Sequence, residues 1–98
     1  MKLWIDDLRP APPGDWVIAR TSAEALAVLE EHAGKPIEEI SFDHDLGGDD
    51  TTRRVLMWMI ENDVWSSTVY IHTANPIGRN YLAGTARRYA PDWVKVLP

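Results

Sequence analysis

The amino-acid sequence predicts a single α/β domain, spanning residues 1–98, built on a mostly parallel sheet of five strands. Short runs rich in β-branched residues alternate with segments of helical periodicity, and 98 residues suit one hydrophobic core. The predicted order is β, β, α, β, α, β, α, β. Strands that alternate with helices pair in parallel, because each helical crossover returns the chain to the same end of the sheet.

Local signals set the expected elements. Strands are predicted over residues 2–5, 16–20, 39–43, 68–72 and 93–97. Helices are predicted from Thr21 or Ser22 to Gly34, from Thr51 or Thr52 to Asp63, and from Gly78 to Tyr89. The proline-rich link between the first two strands, about ten residues long, is too short for a helical crossover.

The strands alternate in polarity, which predicts that helices cover only one face of the sheet, since strands buried on both faces read as continuous apolar runs. The strand positions that face away from the predicted helices include Trp4, Trp16 and Tyr70 among polar neighbours. We expect this aromatic face to meet solvent, a second copy of the chain or the base of a ligand. The alternate strand positions, which are apolar and are expected to face the helices, are Leu3, Ile5, Val17, Ala19, Ile40, Phe42, Val69, Ile71, Val94 and Val96.

Composition excludes several classes of function. A net charge of −5 does not suit an extended nucleic-acid-binding surface, which needs many basic contacts to phosphates. Without cysteine, a metal site must use oxygen or imidazole ligands, which favours a hard cation such as Mg²⁺. The sequence has neither an apolar membrane span nor a signal-peptide pattern, so we expect a cytoplasmic protein with no membrane partner.

Carboxylates follow two strands at the edge of the sheet where ligands of open α/β folds bind. Asp6 and Asp7 come after the first strand, and Asp43 ends the third. Neighbouring carboxylates repel each other unless a cation neutralises them. We therefore predict a site for Mg²⁺, or another divalent cation, on Asp6, Asp7 and Asp43. The alternative is that the acidic pair only begins a turn and Asp43 only ends a strand.

Two histidines and one loop complete the candidate site. His44 and His72 lie at the ends of the third and fourth strands, and imidazole suits proton transfer near neutral pH. A structural hydrogen-bonding role is the alternative for each. The segment from Thr73 into the third helix offers a hydroxyl, helix amides and the Arg79 guanidinium to a phosphate.

Three motifs resemble the cyclic-phosphate-processing receiver-like family, a divergent branch of the response-regulator receiver domains. They are Asp6-Asp7 with Arg9-Pro10, Asp43-His44-Asp45-Leu46-Gly47, and His72-Thr73-Ala74-Asn75-Pro76-Ile77-Gly78-Arg79. In receivers an acidic pair binds Mg²⁺, an Asp after the third strand accepts a phosphoryl group, and a Thr or Ser after the fourth contacts it. The matching residues here are Asp6, Asp7, Asp43 and Thr73. The resemblance implies a flavodoxin-like receiver fold that lacks the first and last helices.

The resemblance implies an enzyme of the cyclic phosphodiesterase type, which hydrolyses cyclic phosphate ends of nucleotides or RNA with a divalent metal, as in RNA repair. Its partner would be a cyclic-phosphate nucleotide or RNA end. Two alternatives stay open: a phosphoacceptor receiver, and a non-catalytic module that forms a homodimer through the helix-free face. Against the phosphoacceptor, Lys95 lies within the last strand and no Lys-Pro pair follows it. The implied catalytic residues are His44, His72 and Asp43, and the implied substrate-binding residues are Thr73, Asn75, Arg79 and Asp45.

Overall fold

A computed structural model describes all 98 residues and contains five strands and three helices. The elements are β1 (Lys2–Ile5), β2 (Trp16–Ala19), α1 (Ser22–Glu31), β3 (Glu39–Phe42), α2 (Arg53–Asn62), β4 (Thr68–Ile71), α3 (Pro76–Tyr89) and β5 (Lys95–Leu97). All strand pairs are parallel, in the order β2-β1-β3-β4-β5. This confirms the predicted truncated α/β fold. Boundaries differ by a few residues: α3 begins at Pro76, not Gly78, and β5 begins at Lys95, not Trp93. None of the helices is long and apolar enough to cross a membrane.

The three helices cover one face of the sheet, as predicted. The crossovers from β2 to β3, β3 to β4 and β4 to β5 all move in the same direction across the sheet. Because such crossovers are right-handed, their helices fall on one side. In agreement, α1 packs on α2 and α2 packs on α3. Val17 departs from the expected core, because it lies on the edge strand β2 and is 39% exposed. The strand residues buried in the core are Leu3, Ile5, Ala19, Ile40, Phe42, Val69 and Ile71.

The loop of residues 6–15 folds back over part of the helix-free face. Trp4 is only 8% exposed, and its Nε1 donates to the carbonyl of Arg9 at 3.0 Å. Its ring meets the edge of the Trp16 ring at 5.9 Å between centroids. The expectation that Trp4 belongs to a solvent-facing surface is therefore wrong, because strand alternation identifies the helix-free face but not the path of a loop. Tyr70, 38% exposed, does face solvent as expected.

Side-chain caps explain where two helices begin. The Thr21 hydroxyl accepts from the backbone N–H of Glu24 at the start of α1, and Glu24 accepts in return from the N–H of Arg20. Asn75 caps α3 by accepting from the N–H groups of Ile77 and Gly78, and a proline occupies the first turn. The Asn75 cap fixes the start of α3 a few residues after the end of β4.

Gly78 lets the first turn of α3 approach the end of β3. A Cβ at this position would come closer than 3.0 Å to three side-chain atoms of His44, which is itself buried. Gly84, on the same helix, has nothing within 4 Å of its hypothetical Cβ. The two glycines therefore form a matched pair for testing this contact.

We expect Gly78→Ala to lower the free energy of unfolding by about 1–3 kcal/mol, because the methyl group overpacks a buried ring. Gly84→Ala should be neutral or raise it by up to about 1 kcal/mol, since alanine is the better helix former. Denaturant unfolding followed by circular dichroism measures both. Equal effects of the two substitutions would contradict the close approach of α3 to His44.

Candidate functional site

Asp6 is the most heavily bonded side chain at the edge of the sheet where the strands end. Its Oδ1 accepts from the backbone N–H groups of Leu8, at 2.9 Å, and Arg9, at 2.7 Å. Its Oδ2 lies 3.0 Å from Nε of Arg9 and 3.0 Å from Nε2 of His72. Burial alone raises the pKa of Asp6, but the two amides, His72 and the Arg9 charge outweigh it and lower the pKa below its usual value. The buried carboxylate is therefore ionised at neutral pH.

His72 connects this edge to the helix-free face. Its Nε2 faces Asp6, its Nδ1 lies 2.8 Å from the hydroxyl of Ser41, and its ring stacks on Trp4 at 3.9 Å between centroids. Burial lowers the pKa of His72 and outweighs the opposing effect of Asp6. The imidazole is therefore neutral at neutral pH, with a proton on Nε2 when it donates to Asp6 and a lone pair on Nδ1 for the Ser41 hydroxyl.

Arg9 supplies the positive charge between the two carboxylates. Besides its contact with Asp6, its Nη2 lies 3.5 Å from Oδ1 of Asp43, and Nη1 lies 3.5 Å from the carbonyl of His72. The side chain is 49% exposed and extends from a loop held by Arg20, whose Nη1 donates to the carbonyls of Asp6 and Arg9. The sequence interpretation gave Arg9 no role in charge balance, although it lies only two residues after the acidic pair.

Asp6, Asp43 and His72 form a cluster whose candidate ligand atoms all lie within 4.8 Å of one another. Two carboxylates and one imidazole can hold a divalent cation, and the nitrogen donor extends the choice from Mg²⁺ to cations such as Zn²⁺. When Nε2 binds a cation, Nδ1 becomes the protonated nitrogen and donates to Ser41, which is the usual way such a ligand is oriented. The donor set therefore fits a cation, provided that the Arg9 guanidinium moves aside.

Asp7 is outside this cluster, although it was predicted to be a ligand beside Asp6. Strand register explains the grouping. Ile5, Phe42 and Ile71 are paired across β1, β3 and β4 and point into the core. The next residues along the three strands are Asp6, Asp43 and His72, so all three turn to the helix-free side. Extending the strand alternation by one residue would have separated Asp6 from Asp7 in the sequence.

His44 lies on the opposite side of the same edge and both its ring nitrogens have partners. Nδ1 is 3.1 Å from Oδ1 of Asp45, and Nε2 accepts from Nε of Arg53 at 2.8 Å. The Arg53 guanidinium in turn lies 3.9 Å above the Tyr81 ring. A buried imidazole with two partners, packed against Gly78, fits the structural alternative for this histidine better than it fits proton transfer.

The predicted phosphate-binding residues are largely engaged with one another. Arg79 donates to the carbonyl of Thr73, whose hydroxyl accepts from the N–H of Asn75. The side chain of Asn75 caps α3 and also donates to Asp45 at 3.1 Å. This bond and the one from His44 lower the pKa of Asp45. The first-turn amides of Ile77 and Gly78 thus already have an acceptor, whereas the Thr73 hydroxyl hydrogen and the backbone N–H groups of Thr73 and Ala74 have no acceptor within the chain.

The lowered pKa of His72 predicts an acid-labile fold. The unfolded chain, with the ordinary histidine pKa of 6.5, binds more protons than the folded chain below that value, so stability falls as the pH decreases through about 6.5. Asp6 adds a further loss only below its ordinary value of 3.8, because its folded pKa is also lowered. In EDTA, the free energy of unfolding should fall more between pH 7.5 and pH 5.0 in the wild type than in His72→Gln. Parallel pH dependences would show that His72 does not cause the loss.

Comparison with known proteins agrees with the motifs. A family model described as the cyclic-phosphate processing receiver domain matches residues 1–88. Neither the curated proteins nor the solved structures contain a significant match. The match covers all strands except β5 and includes every residue of the cluster. The chain therefore belongs to the cyclic-phosphate processing receiver domain family.

Proposed function

We propose that this protein hydrolyses the cyclic phosphate of a nucleotide or of an RNA end, as an enzyme of the cyclic phosphodiesterase type, with a divalent cation at the Asp6, Asp43 and His72 cluster. The observation that carries the proposal is the convergence of these three side chains within 4.8 Å at the end of three neighbouring strands. The family description supplies the substrate class. We propose the cytoplasm as its location and RNA repair as one process that produces such ends.

Each residue of the cluster has a distinct task in this proposal. Asp6 and Asp43 hold the cation through their carboxylates, and Ser41 orients His72 as the third donor. The cation would polarise a phosphate oxygen and neutralise charge that develops during the reaction. Arg9, half exposed and bound only through its tip, leaves the carboxylates and places its guanidinium on a non-bridging oxygen. Thr73 donates its hydroxyl hydrogen to a second oxygen.

Ring opening requires two proton transfers. A water oxygen forms a bond to phosphorus, the bond from phosphorus to one sugar oxygen breaks, the water loses a proton and the sugar oxygen gains one. The backbone N–H of His44 donates to Oδ1 of Asp43, and this bond can remain when Arg9 turns to the phosphate. The other oxygen, Oδ2, would then take the proton from water, and the sugar oxygen on the opposite side of the phosphorus would take its proton from solvent.

His44, Asp45, Asn75 and Arg79 act in this proposal through position and not through contact with the reacting atoms. His44 and Asn75 both bond to Asp45, which ties the end of β3 to the first turn of α3, and Arg79 donates to the carbonyl of Thr73. Substitution of His44 should then lower the free energy of unfolding and have less effect on the turnover of the protein that remains folded. This revises the proton-transfer role that its place at a strand end suggested.

One observation weighs against the alternative of a phosphoacceptor receiver. Lys95 pairs with Thr68, at the start of β4, whereas Asp43 follows the end of β3. The lysine that a receiver needs beside its phosphorylated aspartate therefore lies at the far end of the sheet. Arg9 is the cation that this chain places beside Asp43.

Cation binding can be tested by calorimetric titration with Mg²⁺, Mn²⁺ and Zn²⁺. Asp43→Asn should weaken the affinity about 10-fold or more, because a charged ligand is lost. Arg9→Gln should strengthen it, since the competing guanidinium is gone. Asp7→Asn should have a smaller effect than Asp43→Asn, because Asp7 lies outside the cluster. Unchanged affinity in Asp43→Asn would place the cation elsewhere.

Hydrolysis can be tested by chromatography of the four nucleoside 2′,3′-cyclic phosphates after incubation with protein and cation. His72→Ala should lower turnover by roughly 10²-fold and lower the cation affinity as well, because a ligand is removed. If His72 only carried protons, turnover alone would fall. His32→Ala is the matched control, since His32 contacts the carbonyl of Pro36 beyond the end of α1. Absence of product from all four substrates, or full turnover in His72→Ala, would refute the proposal.

A further inference from the structure

A cavity of about 330 Å³ opens on the helix-free face directly beside the cluster. Its lining residues are Trp4, Pro12, Glu39, Ser41, Tyr70 and His72. The volume lies within the range typical of small-molecule sites. The largest cavity of the molecule, about 560 Å³, lies between α2 and α3, away from the cluster, and nothing in the structure indicates what would cover it.

The floor and walls of the 330 Å³ cavity follow from strand register. Trp4, Ser41 and Tyr70 are paired on β1, β3 and β4, so a small side chain lies between two aromatic ones in the middle of the sheet. Ser41 is itself only 1% exposed, because its hydroxyl bonds to Nδ1 of His72, so the cavity is bounded mainly by the stacked rings of Trp4 and His72 and by the Tyr70 ring. Flat aromatic walls of this kind accept a planar heterocycle by stacking.

The cavity and the cluster lie in consecutive rows of the same face. Asp6, Asp43 and His72 come two residues after Trp4, Ser41 and Tyr70 on their strands, which corresponds to a separation of about 7 Å along the sheet. His72 belongs to both, with Nε2 at the carboxylates and Nδ1 at Ser41. A nucleoside cyclic phosphate has one sugar between its phosphate and its base, so the base of a ligand bound at the cluster reaches the next row.

Glu39 lies at the end of the cavity away from the cluster, and its carboxylate determines which ligand groups can form hydrogen bonds there. It precedes Ser41 by two residues and shares its face, and no ion pair or side-chain hydrogen bond engages its carboxylate within the chain. The ammonium of Lys2, its neighbour in register, lies instead 4.9 Å above the Trp16 ring. An unpaired carboxylate accepts hydrogen bonds only, so it selects a base that presents two adjacent donors.

We propose that this cavity is the base-binding subsite and that it selects guanine, with the ring stacked against the aromatic rings of His72 and Tyr70 and its N1–H and N2–H₂ donors on Glu39. The assignment rests on the proposed function for the place of the phosphate, but base binding itself needs neither cation nor turnover. Adenine, cytosine and uracil lack a pair of adjacent donors of this kind, so each would leave the carboxylate incompletely satisfied.

The test is an NMR titration of the ¹⁵N-labelled protein with guanosine, adenosine, cytidine and uridine in EDTA. Guanosine should shift the signals of Ser41, Tyr70 and the Trp4 indole and should bind at least about 10-fold more tightly than the other nucleosides. Glu39→Gln should weaken guanosine binding about 10-fold and remove the preference. Glu38→Gln is the matched control, since it makes the same charge change at the adjacent, solvent-exposed position. Tyr70→Ala should weaken all four nucleosides, since stacking is tolerant of base identity.

The outcomes separate this subsite from the proposed reaction. Guanosine binding that depends on Glu39, with no cyclic phosphate opened, would uphold the subsite and refute the reaction. Hydrolysis of all four cyclic nucleotides at equal kcat/KM, unchanged in Glu39→Gln, would uphold the reaction and refute the subsite. Equal binding of the four nucleosides, or equal effects of Glu39→Gln and Glu38→Gln, would also overturn the guanine assignment. Circular dichroism of each variant verifies that its fold is retained.

Discussion

The buried carboxylate of Asp6 is the contact on which the edge of this molecule depends. It accepts two backbone amides from its own loop, the guanidinium of Arg9 and the ring of His72 on β4. A single side chain thus ties β1, the loop of residues 6–15 and the end of β4 together. A buried ion is costly unless all its lone pairs are satisfied, and here four donors satisfy them. The position of His72, and through it the stack on Trp4, follows from this arrangement.

The loop of residues 6–15 stands in place of the helix that a complete receiver would have between β1 and β2, and it covers part of the same face of the sheet. It shields Trp4 by accepting its indole N–H, and it brings Arg9 back to the carboxylates. It leaves the rest of the face open, so that Tyr70 and the 330 Å³ cavity beside it remain accessible. A short loop in place of a helix is therefore what puts an accessible concavity beside the acidic cluster.

The sequence was informative wherever one local rule decided the outcome. Periodicity and capping residues predicted the elements to within a few residues, and the polarity of alternate strand positions predicted which face the helices cover. The convergence of Asp6 and Asp43 followed from the parallel sheet. The role of Arg9 and the burial of Trp4 could not be predicted, because they depend on the path of a loop with no periodic pattern. The surroundings of His44 could not be predicted for another reason: its place at a strand end says nothing of Arg53 and Gly78, which distant helices bring to it.

The balance of charge at the cluster affects how strongly the site holds a phosphate. Two carboxylates face a single, half-exposed guanidinium, so the site would gain a unit of negative charge if that side chain rotated away. A cyclic phosphodiester carries one negative charge, whereas a ring-opened monoester carries close to two at neutral pH. Without a cation, Asp6 and Asp43 would therefore repel the monoester more strongly than the cyclic diester, whereas a bound cation would offset their charge and hold the monoester.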